Sequence, residues 1–147
     1  MQRPALIVDD NDTYAKMLLS HLEPLGFRFD RAESASEGLE ALKQQGPSHY
    51  SFVVTDITME GQTAGLKLIR RIRRHGYKGV LMVASTGFNS PFILHLCRPF
   101  LALWGVDLLV PKEPLKAGRF ENVAISKAGR SFQRNDMHQS GSARTYC

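Results

Sequence analysis

The chain has 147 residues, enough for one domain with a full core and too few for two. A chain of that length buries enough surface to need no disulfide or metal staple, and its 43% hydrophobic and 22% charged residues exclude wholesale disorder. The formal net charge of +5 is uneven: from Lys112 to Cys147 seven basic residues face three acidic ones, +4 of the total, which leaves the body near neutral.

Pro4 to Val8 is a short apolar run without alternation that stops at Asp9-Asp10, the pattern of a strand covered on both faces. Thr13 to Leu25 has apolar residues at helical spacing and ends at Gly26, with Asn11 and Asp12 as its caps. Phe27 to Phe29 reads as an edge strand. Ser34 to Glu37 is a capping-box pattern opening a helix that Gly46-Pro47 closes. Ser51 to Asp56 is a second buried-type strand, again ending on a carboxylate. A loop with Gly61 and Gly65 leads into a helix over Leu66 to His75, whose Arg70, Arg71, Arg73, Arg74 and His75 read as a solvated surface. Val80 to Ala84 is a third buried-type strand. Ser90-Pro91 opens a helix towards Trp104, apolar nearly all round and shortened or kinked at Pro99. Val106 to Val110 is the last strand, and Lys112 lies just beyond it. Strands and helices thus alternate, which predicts an α/β fold with a five-stranded parallel sheet and helices on both faces. The expected domain covers residues 1–125, and residues 126–147 form a polar, basic, weakly structured tail.

Two cysteines, Cys97 and Cys147, make no framework and fit a reducing compartment. The N-terminus lacks a signal-peptide pattern, and the most apolar stretch, Phe92 to Val110, is interrupted by His95, Arg98, Pro99 and Asp107. A cytoplasmic chain with no membrane association is expected.

In an open α/β sheet, ligands bind beyond the carboxyl ends of the strands. Those ends carry Asp9, Asp10, Asp56, Ala84-Ser85-Thr86 and Lys112. Three carboxylates brought together repel one another unless a cation is present, and hard oxygen donors suit Mg²⁺.

The pieces LIVDDND, VVTDITM, VLMVAST and LLVPK resemble the response-regulator receiver domains of two-component signalling over roughly residues 4–120. The resemblance implies a flavodoxin-like sheet of order 2-1-3-4-5. It implies that Asp56 accepts a phosphoryl group from a histidine kinase or phosphotransfer protein. It also implies that Asp9, Asp10, Asp56 and the Thr58 carbonyl serve Mg²⁺, and that Lys112 contacts the phosphoryl oxygens. The family's hydroxyl at the end of the fourth strand falls on Ala84 or Ser85, with Ser85 preferred. Met59-Glu60 stands for the usual Met-Pro, Gly65 falls one residue late, and Leu109 replaces an aromatic. The chain is expected to be a signalling domain rather than an enzyme, with no DNA binding of its own. A fourth-helix face of Phe92, Leu96, Phe100 and Trp104 would serve a homodimer or an output partner. The alternatives are a degenerate receiver acting as a constitutive interaction module and, more distantly, a haloacid-dehalogenase-like phosphatase suggested by Asp10-Asn11-Asp12.

Overall fold

A computed structural model describes residues 2–56, 64–85 and 91–137, the side chains at 64–65, 91–94 and 96 excepted. The elements are β1 (Arg3–Val8), α1 (Asp12–Leu22), β2 (Phe27–Ala32), α2 (Ala35–Gln45), β3 (Phe52–Asp56), α3 (Ala64–Arg74), β4 (Val80–Ser85), α4 (Pro91–Trp104), β5 (Leu108–Pro111), α5 (Lys112–Lys116), β6 (Val123–Ala124) and α6 (Lys127–Asp136). One sheet runs in the order β2-β1-β3-β4-β5-β6. The first five strands are parallel, and β6 pairs antiparallel with β5.

The helix starts follow local chemistry. The Asn11 side chain accepts the Tyr14 N–H at 3.1 Å and caps α1. Ser34 Oγ accepts the Glu37 N–H, a donor the new helix leaves orphaned, while the Glu37 carboxylate reaches back to accept the Glu33 N–H just before the cap. Pro24 ends α1 early: the chain tightens into a 3-10 turn over Glu23–Leu25, and Gly26 reverses it at φ +93°. In α4 the helix continues through Pro99 as one element.

The strand pleat sends alternate residues into two cores. Leu6, Val8, Val53, Leu81, Val83 and Leu109 pack with Leu68, Ile69 and Ile72 of α3 on one face. Ile7, Phe52, Val54, Met82, Ala84 and Val110 pack with Leu18 and Leu22 of α1 and Phe132 of α6 on the other. Strands buried on both faces explain the unbroken apolar runs of the sequence.

Two expectations are corrected. The sheet has six strands rather than five, and the stretch expected as a weakly structured tail contains α6. Ser126 caps that helix by accepting the Gly129 N–H at 3.0 Å, and Phe132 and Met137 are buried against the second core. Gly129 is required there, since a Cβ would lie 2.1 Å from the Asp107 carbonyl oxygen. Arg3 and Asp136 pair and fasten the end of α6 to β1.

The solvated-surface reading of the α3 cations is also corrected at one position. Arg73 turns inward: its guanidinium donates to the carbonyls of Tyr77, Gly79 and Gly105 and to the Asp107 carboxylate at 2.7 Å. An arginine fork has enough donors to satisfy the carbonyls where several loops meet.

Candidate functional site

β1, β3 and β5 end at the same edge of the sheet and bring Asp9, Asp56 and Lys112 together. Lys112 is only 2% exposed and Asp56 4%. The Lys112 ammonium donates to Asp56 Oδ2 at 2.7 Å and stands 3.5 Å from Asp9 Oδ2. It also lies 4.2 Å from the centre of the Tyr14 ring, a cation–π contact the sequence reading missed. Tyr14 lies in the first turn of α1, which directly follows the Asp9-Asp10 loop, and helical spacing is the only sequence signal it gives.

Asp9 Oδ1 accepts the Asn11 N–H at 2.9 Å, while Oδ2 is buried with no hydrogen bond among the described residues. Burial pushes the Asp9 carboxyl above its ordinary value, opposed by the Asn11 N–H bond and by the Lys112 charge, with Asp56 adding to the rise. One oxygen from each of Asp9, Asp10 and Asp56 falls within 4.8 Å of the others, with Asp10 exposed at the mouth. Three carboxylates against one ammonium leave an excess of negative charge. A buried oxygen with no hydrogen bond, held only by the Lys112 charge 3.5 Å away, is what a hard divalent cation would satisfy, and Mg²⁺ accepts such a donor set while keeping waters on its open side.

The Asp9 shift has a sign that can be measured. Because its folded-state value is raised, the folded metal-free protein holds this proton more tightly than the unfolded chain. That stabilisation is fully present below the ordinary value of 3.8 and is lost as pH rises through the higher folded value. Urea unfolding in EDTA should therefore show stability falling over this window. Asp9→Asn should flatten the slope, and an unchanged slope in that variant would assign the dependence elsewhere.

Asp10 and Asp56 lie with Asp9 in one cluster, and Lys112 reaches Asp56 and Asp9. Thr58, Met59 and Glu60, the Ser90 cap, Cys147, and the side chains of Phe92 and Leu96 lie outside the described residues. Phe100 is 68% exposed, whereas Trp104 is partly covered by the Arg70 guanidinium, 5.1 Å from its ring centre. At the end of β4, Ala84 is the register partner of Asp56 and packs with Val54 and Val110. Ser85 is one residue further, buried and opposite Pro111. Leu109 fills its strand position inside the other core.

The match to known proteins decides the family. The family model for the response regulator receiver domain matches residues 5–97. The chain belongs to the receiver domain family. Receiver domains are signalling domains, and the fold seen here is the CheY-like one. The chain is similar to the CAI-1 autoinducer sensor kinase/phosphatase CqsS of Vibrio cholerae serotype O1, with 34% identity over 99 residues covering 66% of this chain and 14% of that protein. It is similar to chemotaxis protein CheY-3 of the same species, with 38% identity over 68 residues covering 46% of this chain and 50% of that one. The chain thus spans between 14% and 50% of the length of these relatives.

Among solved structures, the fold resembles the CheX–CheY–BeF3–Mg²⁺ complex from Borrelia burgdorferi, with TM-score 0.62 and 22% identity over 75% of this chain and 78% of that one. A Burkholderia pseudomallei response regulator solved with a phosphorylated aspartic acid, calcium ion and citrate gives TM-score 0.59 and 22% identity over 95% of this chain and 76% of that one. No helix among the described residues is long and apolar enough to cross a membrane.

Proposed function

We propose that this receiver accepts a phosphoryl group on Asp56 from the phosphohistidine of a histidine kinase or phosphotransfer protein, and signals through protein–protein contacts in the cytoplasm. An Asp56 carboxylate oxygen attacks phosphorus, the P–N bond breaks, and the bonding pair returns to the imidazole. Asp9, Asp10, Asp56 and, as the family resemblance implies, the Thr58 carbonyl would hold Mg²⁺, which when bound would supply charge neutralisation to the phosphoryl group. Lys112 moves from the Asp56 carboxylate to the phosphoryl oxygens. The observation that carries this reading is Asp56 itself, buried, 2.7 Å from a buried ammonium and within a three-carboxylate cluster. The related proteins solved with BeF3 and Mg²⁺, or with a phosphorylated aspartic acid, support the same chemistry.

The register bears on the switch. Successive residues of a strand alternate in face, so Ala84 shares the Asp56 side of β4 and Ser85 takes the other. In this reading a methyl group, not the Ser85 hydroxyl first expected, lies beside the phosphoryl group. That favours phosphorylation coupled to a weaker conformational response. In its extreme this is the degenerate receiver, which binds its partner without phosphorylation.

Intact-mass spectrometry after incubation with acetyl phosphate tests the proposal. A single phosphoryl adduct is expected, dependent on Mg²⁺ and absent in Asp56→Ala. A folded protein that gains no adduct from acetyl phosphate or from phosphorylated kinases would favour the constitutive module instead.

A further inference from the structure

We propose that the α3–α4 surface docks an acidic segment of a partner protein that also carries apolar side chains. Lys67, Arg70, Arg71 and Arg74 are all exposed and lie at i, i+3, i+4 and i+7 on α3, opposite the buried Leu68, Ile69 and Ile72. That spacing gathers four cations into one stripe along the helix. α3 contains no acidic residue, and none of the four is in an ion pair with a carboxylate among the described residues. Four like charges at this spacing repel, so the bare stripe costs stability that an anionic occupant would return.

An apolar ridge adjoins the stripe. Phe100 and Leu103, one turn apart on α4, are 68% and 82% exposed, the large hydrophobic residues most open to solvent in the described chain. The two features form one surface, because Arg70 lies over Trp104 and Arg73 ties α3 to Gly105 at the end of α4. Neither contact touches the carboxylate cluster, so the surface stands apart from the phosphorylation proposal.

The pairing selects the occupant. A nucleic acid or another plain polyanion would use the stripe and leave Leu103 and Phe100 in water. A second copy of this chain, docked isologously about this face, would bring cationic stripes towards each other. A segment with carboxylates on one flank and apolar residues on the other covers both features at once.

Fluorescence anisotropy on the 147-residue chain, without phosphodonor, reads this out. The probe is a fluorescein-labelled amphipathic helical peptide of glutamate and leucine. Its comparators are the same peptide with alanine for leucine, a single-stranded oligonucleotide, and phosphatidylglycerol vesicles. The glutamate–leucine peptide should bind best. Its affinity should fall about tenfold in Arg71→Glu/Arg74→Glu and by a comparable factor in Leu103→Ser, as expected for a few rim charges or one apolar contact. Circular dichroism checks that each variant folds, and Arg71→Ala/Arg74→Ala, with a smaller loss, serves if the reversal does not. The proposal is overturned if the glutamate–leucine peptide fails to bind, if Leu103→Ser binds it as well as the parent, or if any comparator binds as tightly. Sedimentation showing self-association that Phe100→Asp abolishes would give the face to a second copy and overturn it too.

Discussion

Replacing Lys112 with methionine should destabilise the metal-free protein by about 3–5 kcal/mol at neutral pH, the scale for removing one partner of a buried charge pair. The ammonium is almost fully enclosed and is within 3.5 Å of both Asp56 and Asp9. Methionine fills much of the same space, so the loss reports charge rather than a cavity. Without the cation, Asp9 and Asp56 repel across a site that solvates neither, and Asp9, whose proton affinity Lys112 now lowers, should take up a proton more readily. The penalty should therefore shrink as pH falls and Asp9 takes up a proton, and Mg²⁺ should recover part of it. Urea unfolding of both proteins in EDTA and in Mg²⁺, at neutral and mildly acidic pH, measures all three effects. A loss that neither proton nor metal changes would mean that packing dominates.

Asp107→Ala should cost about 3 kcal/mol, through buried donors left without an acceptor. The carboxylate, 7% exposed, accepts from Arg73 Nη2, from the Leu81 N–H at 2.9 Å and from the Ser126 hydroxyl at 2.6 Å. Its own carbonyl accepts the N–H groups of Ile125 and Ser126. One residue thus joins α3, β4 and the start of α6. Hydrogen exchange should quicken over β6 and α6 in the variant while β1 and β3 stay protected. In a double-mutant cycle with Arg73→Ala the two losses should fall well short of adding, since they remove the same contact. Full additivity would separate the two residues.

Much of the fold was legible because parallel strands buried on both faces leave an unmistakable trace. The apolar runs at Leu6, Val53, Leu81 and Leu109 each stop near the carboxyl edge of the sheet, and past three of them the next charged residues, Asp9, Asp56 and Lys112, are those of the site. The carboxylates of Asp9, Asp10 and Asp56 could be gathered from the alternation of elements alone, and Lys112 with them. β6 could not: two residues, Val123 and Ala124, are too few to show a period. α6 hid for a related reason, since its buried stripe amounts to Gly129 and Phe132, with Met137 just beyond, in an otherwise polar segment. Arg73 was indistinguishable from its neighbours because composition does not reveal which cation of a run meets carbonyl oxygens. The residue opposite Asp56 depended on register, which one position in β4 decides.

The antiparallel β6 has a consequence for solubility. A parallel sheet ending at β5 would expose a ladder of unsatisfied donors and acceptors beside Leu108 and Leu109, a template on which another chain could add a strand. Two residues of β6 occupy that ladder, and Arg98 of α4 donates to the Ala124 carbonyl at its rim. The opposite edge, β2, is protected differently, by charge: Arg28, Asp30 and Arg31 interrupt it, and the Asp30 carboxylate is engaged by the Tyr50 hydroxyl at 2.8 Å. Truncation before residue 123 should therefore do more than remove a short appendage. It would bare the apolar edge of β5 and leave a chain more prone to aggregate.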